Sequence, residues 1–144
     1  MAVERIQAAV EAARKFDFFF TLTARAENYL VGIHNLDDTI KRLQAYQEAS
    51  ADVLYAPGLP TKDDIAAVIA AVNHPVNILM GAQGATTVAA LSALGVKRIS
   101  TGSALSRAAY GAFLHAAREM SEQGTFAFAD EAVSFREISA MLQD

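Results

Sequence analysis

The chain has 144 residues, 53% of them hydrophobic and 19% charged, with a net charge of −4 and no cysteine. That length suits one domain of ordinary size. The acidic balance and scattered basic residues exclude a nucleic-acid or anionic-membrane surface, which needs clustered Lys and Arg, and the lack of Cys excludes disulfides, thiolate nucleophiles and Cys-ligated zinc.

Val3, Ile6, Val10 and Ala13 recur at three- and four-residue steps between charged residues, which predicts an amphipathic helix from near Met1. Residues 16–23 follow as an apolar run too continuous for a strand with one wet face, so both faces are expected to be covered, as in a parallel sheet under helices. Along it Phe18, Phe20 and Leu22 share one side, and Phe19, Thr21, Thr23 and then Arg25 the other. Leu36-Asp37-Asp38 reads as the cap and acidic first turn of a helix to about Ala49, and residues 52–56 as a short buried strand. Pro57, Gly58 and Pro60 then forbid regular continuation.

A helix over residues 61–72 leads, through Pro75, to a strand over 76–80. Gly81-Ala-Gln-Gly84 opens a further helix that Gly95 stops as its C′ residue. The last strand spans 96–101, a long helix 104–123, and a final amphipathic piece 130–142 with Asp130 as its cap. The order is one helix, four β-α units and an extra helix. Helical crossovers of this length imply a parallel sheet, and the plan reads as residues 1–144 forming a single partial (β/α)₈ barrel, because a full one needs about 250 residues.

Ligand sites in parallel α/β folds lie at the carboxyl ends of strands, which singles out Thr23-Ala-Arg-Ala-Glu-Asn. Arg25 offers a fork for a substrate carboxylate and Glu27 an acceptor two residues on, although a strand-end ion pair on a surface loop explains the same spacing. The Gly81–Gly84 and Ser100-Thr-Gly-Ser103 segments resemble anion-holding turns but read better as tight turns that let a helix pack back on the sheet. His34, His74 and His115 share no ligand spacing, and the pairs Asp37/Asp38 and Asp63/Asp64 sit where acids favour a helix N-terminus. A flavodoxin-like domain would fit the element order, but its first phosphate loop needs glycines that residues 23–28 lack.

The string Thr-Ala-Arg-Ala-Glu-Asn, the long run Leu36-Asp-Asp-Thr-Ile-Lys-Arg-Leu through Tyr55-Ala-Pro-Gly-Leu, Pro75-Val-Asn-Ile-Leu and Gly95-Val-Lys-Arg-Ile-Ser-Thr-Gly resemble the isocitrate lyase and phosphoenolpyruvate mutase superfamily, nearest its phosphonomutase-like bacterial branch. The resemblance implies a (β/α)₈ enzyme that makes or breaks C–C or P–C bonds in small α-keto or α-hydroxy acids with Mg²⁺. It implies that Arg25 contacts the substrate carboxylate or oxyanion, and that Glu27 supports the site. In that register the first strand is the barrel's fifth, so the chain begins at the helix before strand five. The family's metal-binding aspartates, substrate-binding amides and mobile loop would lie upstream of Met1, leaving this chain alone inactive. Pro57 also stands where the lyases carry Glu and the phosphonomutase His.

Two kinds of association follow as expectations. A companion N-terminal half could complete the barrel, or the half-barrel could act without catalysis and self-associate through its unpaired edges. The helices from 104 onward also resemble terminal helices that family members exchange between subunits, which favours a homo-oligomer. No run reaches the about 18 apolar residues of a membrane span, so the expected location is cytoplasmic, without membrane or nucleic-acid partners.

Overall fold

The computed structural model describes residues 1–80 and 86–143, in two compact units, Met1–Gly102 and Ser103–Asp144. In the first, Val3 and Ile6 of helix α1 (Ala2–Ala13) pack against the core, as their spacing predicts. Strands β1 (Thr23–Arg25), β2 (Val53–Tyr55), β3 (Val76–Leu79) and β4 (Arg98–Ser100) form one parallel sheet in the order β1-β2-β3-β4. Helices α2 (Leu36–Glu48), α3 (Lys62–Ala71) and α4 (Val88–Ala93) connect them.

Each of these three connecting helices begins on a residue whose side chain satisfies a free backbone N–H. Asn35 accepts from the Asp38 amide at 2.9 Å, Thr61 from Asp64 at 3.0 Å and Thr87 from Ala90 at 3.1 Å. The cap of α2 is therefore Asn35 rather than the expected Leu36-Asp37-Asp38, which form its first turn. Gly95 ends α4 as expected. At φ 94° it donates to Ser92 O at 2.9 Å while Val96 donates to Leu91 O at 3.1 Å, and a Cβ there would lie 3.2 Å from Ile69 Cγ2. The expected turn at 81–84 lies outside the described residues.

The parallel register fixes which side chains share a face. Ala24 pairs with Leu54, Leu54 with Val76, and Ile78 with Ile99. Ala24, Leu54, Val76 and Ile78 belong to one buried cluster with Leu43 and Tyr46 of α2, Ile65 and Val68 of α3 and Leu91 of α4. The helical layer thus covers this face. Alternation assigns the opposite face to Thr23, Arg25, Val53, Tyr55, Asn77, Leu79, Arg98 and Ser100.

The sequence reading of the first strand needs correction. Only residues 23–25 enter the ladder, and Phe18, Phe19 and Phe20 are 59%, 79% and 43% exposed instead of covered on both faces. The reason lies in the order of strands: β1 is an edge, and its one neighbour, β2, pairs with positions 23–25 alone. Phe16, Phe18 and Phe20 cluster instead, with Phe18 stacked on Phe16 at 5.1 Å between ring centroids and Phe20 tilted against Phe16 at 5.6 Å.

A polar clamp holds this segment to the sheet. The Arg14 guanidinium donates to the Asp52 carboxylate at 2.6 Å, Asp52 accepts the Leu22 amide at 2.7 Å, and Leu22 O accepts the amides of Asp52 and Val53 at 3.0 and 3.1 Å. Partial burial pushes the Asp52 carboxyl upward, but the Arg14 and Leu22 hydrogen bonds and the nearby charges of Arg14 and His74 outweigh it and hold it below the usual carboxylate value.

In the second unit, helix α5 (Ala104–Gln123) ends at Gly124 with φ 64°. The Glu119 carboxylate accepts from Thr125 Oγ1 at 2.7 Å and from the amides of Ala127 and Phe128 at 2.6 and 3.1 Å. The final helix α6 is Phe135–Met141, capped by Ser134, whereas the sequence pattern started it at Asp130. Asp130 instead closes a 3₁₀ turn over Ala127–Asp130, because Glu119 already holds that turn's amides. No described helix is long and apolar enough to cross a membrane.

Leu54 is fully buried between the sheet and the helices. Leu54→Ala is expected to cost about 2–5 kcal/mol in urea denaturation, whereas a loss below about 1 kcal/mol would contradict its place in the core. Asp52→Asn tests the clamp. Because the folded carboxyl titrates below its unfolded value of about 3.9, its stabilisation is present above that pH and lost as pH falls further. The variant is therefore expected to have a lower urea midpoint than the parent at pH 7. The gap should narrow below about pH 4 as the parent's carboxyl becomes protonated.

Candidate functional site

At the carboxyl end of β1 the ladder runs one residue beyond the strand, since the Ala26 amide donates to Tyr55 O at 2.9 Å. Ala24 and Ala26 therefore point into the helical core, each 1% exposed, while Arg25 and Glu27 point to the other side. The two candidate site residues come together. Arg25 Nε donates to a Glu27 carboxylate oxygen, and both side chains remain about half exposed, at 50% and 45%. The guanidinium lies 5.7 Å from the centroid of the Tyr55 ring, a cation–π distance. A guanidinium has five N–H donors, so the bond to Glu27 leaves its terminal nitrogens open to a second anion.

Asn28 fixes the chain just beyond this pair. It is 5% exposed, and its Nδ2 donates to Thr39 Oγ1 at the start of α2 and towards Asn35 O at 3.3 Å, while its own carbonyl accepts the Ile33 amide at 2.8 Å. These bonds tie the 3₁₀ turn Asn28–Val31 to the α2 cap and set the backbone direction that presents Glu27. The sequence signal for this was modest: an Asn after the charged pair, followed by Asn35 and Thr39 at a helix start.

A second feature escaped the sequence reading. The register Arg25–Tyr55, Tyr55–Asn77 and Asn77–Arg98 forms one lateral row across all four strands. Asn77 is fully buried; its Oδ1 accepts from Arg98 at 2.7 Å and its Nδ2 donates to Ser100 Oγ at 3.0 Å. The available clue was a polar residue inside the apolar strand Val-Asn-Ile-Leu, at an alternate position from Val76 and Ile78.

The other candidates have structural explanations. His34 stacks on Tyr29 with centroids 5.3 Å apart, and the His74 ring lies 2.7 Å from Ala51 O. His115 is an exposed residue of α5. Asp38 pairs with Arg42 at 2.7 Å, and Asp64 accepts from the Thr61 hydroxyl at 2.6 Å, so both acids are engaged at their helix starts. Pro57 is buried, and Gly58 at φ 89° presses against Tyr29, where a Cβ would lie 3.2 Å from Tyr29 Cβ. Among the described residues no three His, Asp or Glu side chains group as metal ligands, so they offer no site of their own that fits Mg²⁺.

Comparison with known proteins follows from this geometry. The family described as phosphoenolpyruvate phosphomutase matches residues 1–121. A protein of Burkholderia cenocepacia, provisionally assigned as a lyase/mutase, is 60% identical with a TM-score of 0.92, over 96% of this chain and 50% of that one. A phosphonopyruvate hydrolase solved with oxalate and Mg²⁺ is 28% identical with a TM-score of 0.77, over 96% of this chain and 50% of its own. Uncharacterised proteins from two Mycobacterium tuberculosis strains are 33% identical over 124 residues, 85% of this chain and 46% of theirs. The chain thus spans about half the length of the relatives it matches, and its four β-α units correspond to the C-terminal half of their (β/α)₈ barrel. The match over residues 1–121 places the chain in the phosphoenolpyruvate phosphomutase family.

Proposed function

We propose that this chain supplies the carboxylate-binding wall of a cytoplasmic lyase or mutase that acts on small α-keto or α-hydroxy acids. One observation supports the reading above the others. Arg25 stands at the carboxyl end of a parallel strand, on the face opposite the buried cluster of α2, α3 and α4, with Nε engaged by Glu27 and its terminal N–H groups unbonded among the described residues. An Arg fork recognises a planar carboxylate through two parallel hydrogen bonds. Glu27 and the Tyr55 ring limit how far the guanidinium can swing, so less rotamer entropy is lost when the acid binds.

Breaking a bond next to a keto group leaves negative charge on the retained oxygen and carboxylate. A guanidinium already aimed at that position stabilises the charge as it develops. Glu27 in this reading is a positioning residue: it orients Arg25 and supplies an acceptor beside the site.

The reading does not extend to full catalysis by this chain. A Mg²⁺-dependent C–C or P–C cleavage needs metal ligands that the described residues do not group, so those ligands are assigned to polypeptide outside this chain. The isolated chain with Mg²⁺ is expected to show no turnover of oxaloacetate or phosphonopyruvate; turnover that Arg25→Ala abolishes would refute that division of labour.

Binding gives the direct test. Oxalate titrated calorimetrically into the chain is expected to bind weakly, and Arg25→Ala to weaken it roughly ten- to a hundredfold, the size of a lost charge-assisted hydrogen-bond pair. Glu27→Gln keeps an acceptor for Nε but removes the competing charge, so it should tighten oxalate by a few fold. Unchanged affinity in Arg25→Ala would defeat the proposal.

A further inference from the structure

Arg14, Arg25 and Arg42 are each paired with a carboxylate, those of Asp52, Glu27 and Asp38. Arg98 is not. It opens β4 on the face opposite α2, α3 and α4, is exposed, and has no acidic partner among the described residues. Its hydrogen bond runs instead from Nη1 to the neutral Asn77 Oδ1 at 2.7 Å. A neutral acceptor fixes the guanidinium without cancelling its charge. Nε and Nη2, which lie side by side as a parallel donor pair, have no acceptor among the described residues.

Asn77 holds a second donor as well. Its amide is fully buried, and Nδ2 donates to Ser100 Oγ at 3.0 Å. Because that oxygen accepts from Asn77, the Ser100 hydroxyl hydrogen is left to donate, and it has no acceptor among the described residues. Arg98 and Ser100 are alternate residues of one strand, so both side chains leave the same face, with Cα atoms roughly 7 Å apart at strand rise. Turning the Asn77 amide would break both of its bonds in the interior, so the guanidinium and the hydroxyl are held in a fixed relation. Leu79, paired with Ser100 across the ladder, places an apolar side chain beside them.

We propose that Arg98 and Ser100 form a binding site for a phosphate or phosphonate group, with Asn77 as the residue that positions both donors. The number of oxygens decides the class of ligand. A carboxylate has two, and the Nε–Nη2 pair takes both. A tetrahedral group offers a third oxygen, out of the guanidinium plane, for the Ser100 hydroxyl.

This inference does not rest on the carboxylate reading of Arg25. The two guanidinium groups belong to β1 and β4, at opposite edges of the sheet. Three strand spacings amount to roughly 14 Å, beyond the screening length of about 10 Å at 0.1 M salt. Each site therefore carries its own charge, and either can be lost without the other.

The test follows the Arg98 Nε–Hε signal of the nitrogen-15-labelled whole chain, assigned with Arg98→Lys, during titration with inorganic phosphate, methylphosphonate and acetate. Phosphate and methylphosphonate are expected to move it with affinities within about threefold of each other, because three oxygens suffice. Ser100→Ala should weaken phosphate about tenfold, the size of one hydrogen bond, and leave the acetate response at Arg98 unchanged. Ser100→Thr restores the hydroxyl and should restore phosphate binding; circular dichroism checks that both variants remain folded. Arg107 and Arg136, exposed and without acidic partners among the described residues, report non-specific attraction and should move little. Arg25→Ala is expected to leave the Arg98 response to phosphate intact even where it abolishes oxalate binding. An Arg98 signal that moves no more than those of Arg107 and Arg136 would overturn the proposal. So would equal phosphate affinity in the parent and Ser100→Ala, or a response to inorganic phosphate without one to methylphosphonate.

Discussion

The parallel register between β1 and β2 determines what this molecule presents to its surroundings. Pairing Thr23 with Val53, Ala24 with Leu54 and Arg25 with Tyr55 sends alternate side chains to opposite faces. A slip of one residue would bury the Arg25 guanidinium among Leu43, Tyr46 and Val68 and expel Ala24. Burying an unpaired charge in that cluster would cost far more than the sheet gains from three paired residues, so the core itself enforces the register. The Arg14–Asp52–Leu22 clamp adds a local restraint where β2 begins, and Asn28 adds another just after β1 ends.

The same alternation explains the contrast between the two faces. One is Ala, Leu, Val and Ile under a helical layer, and the other carries Arg25, Tyr55, Asn77, Arg98 and Ser100. A polar residue as deeply buried as Asn77 is tolerated because both ends of its amide are satisfied, by Arg98 and Ser100. The face opposite the helical layer of the first unit therefore has internal order of its own: a row of side chains held by neighbours on adjacent strands, with a guanidinium at each edge. In a complete (β/α)₈ barrel the strand face opposite the helices looks inward. Here Arg25, Leu79 and Arg98 meet solvent.

Much of this was legible in the sequence. Helical periodicity located α1, α2 and α3, flanking glycines placed α4 and α5, Gly95 marked the end of α4, and the order of elements implied a parallel sheet. The placement of Arg25 and Glu27 at a strand's carboxyl end was legible too, because it depends on local order along the chain. Features that depend on neighbours distant in sequence were not. The run 16–23 has the composition of a buried strand, but composition cannot show that its only paired neighbour reaches just positions 23–25. The Asn77–Arg98 contact joins residues 21 apart, and the start of α6 is displaced by a carboxylate on α5 that captures the preceding turn. In each case a tertiary partner decided between two locally acceptable conformations.

The central claim is that the register holds the Arg25 guanidinium on the open face, where it binds a small carboxylate. Nitrogen-15 NMR of the arginine Nε–Hε groups during an oxalate titration tests it most directly. The Arg25 resonance, assigned with Arg25→Lys, is expected to move with added oxalate while those of Arg14 and Arg42, engaged with Asp52 and Asp38, stay in place. A stationary Arg25 signal, or equal movement of all three, would contradict the account.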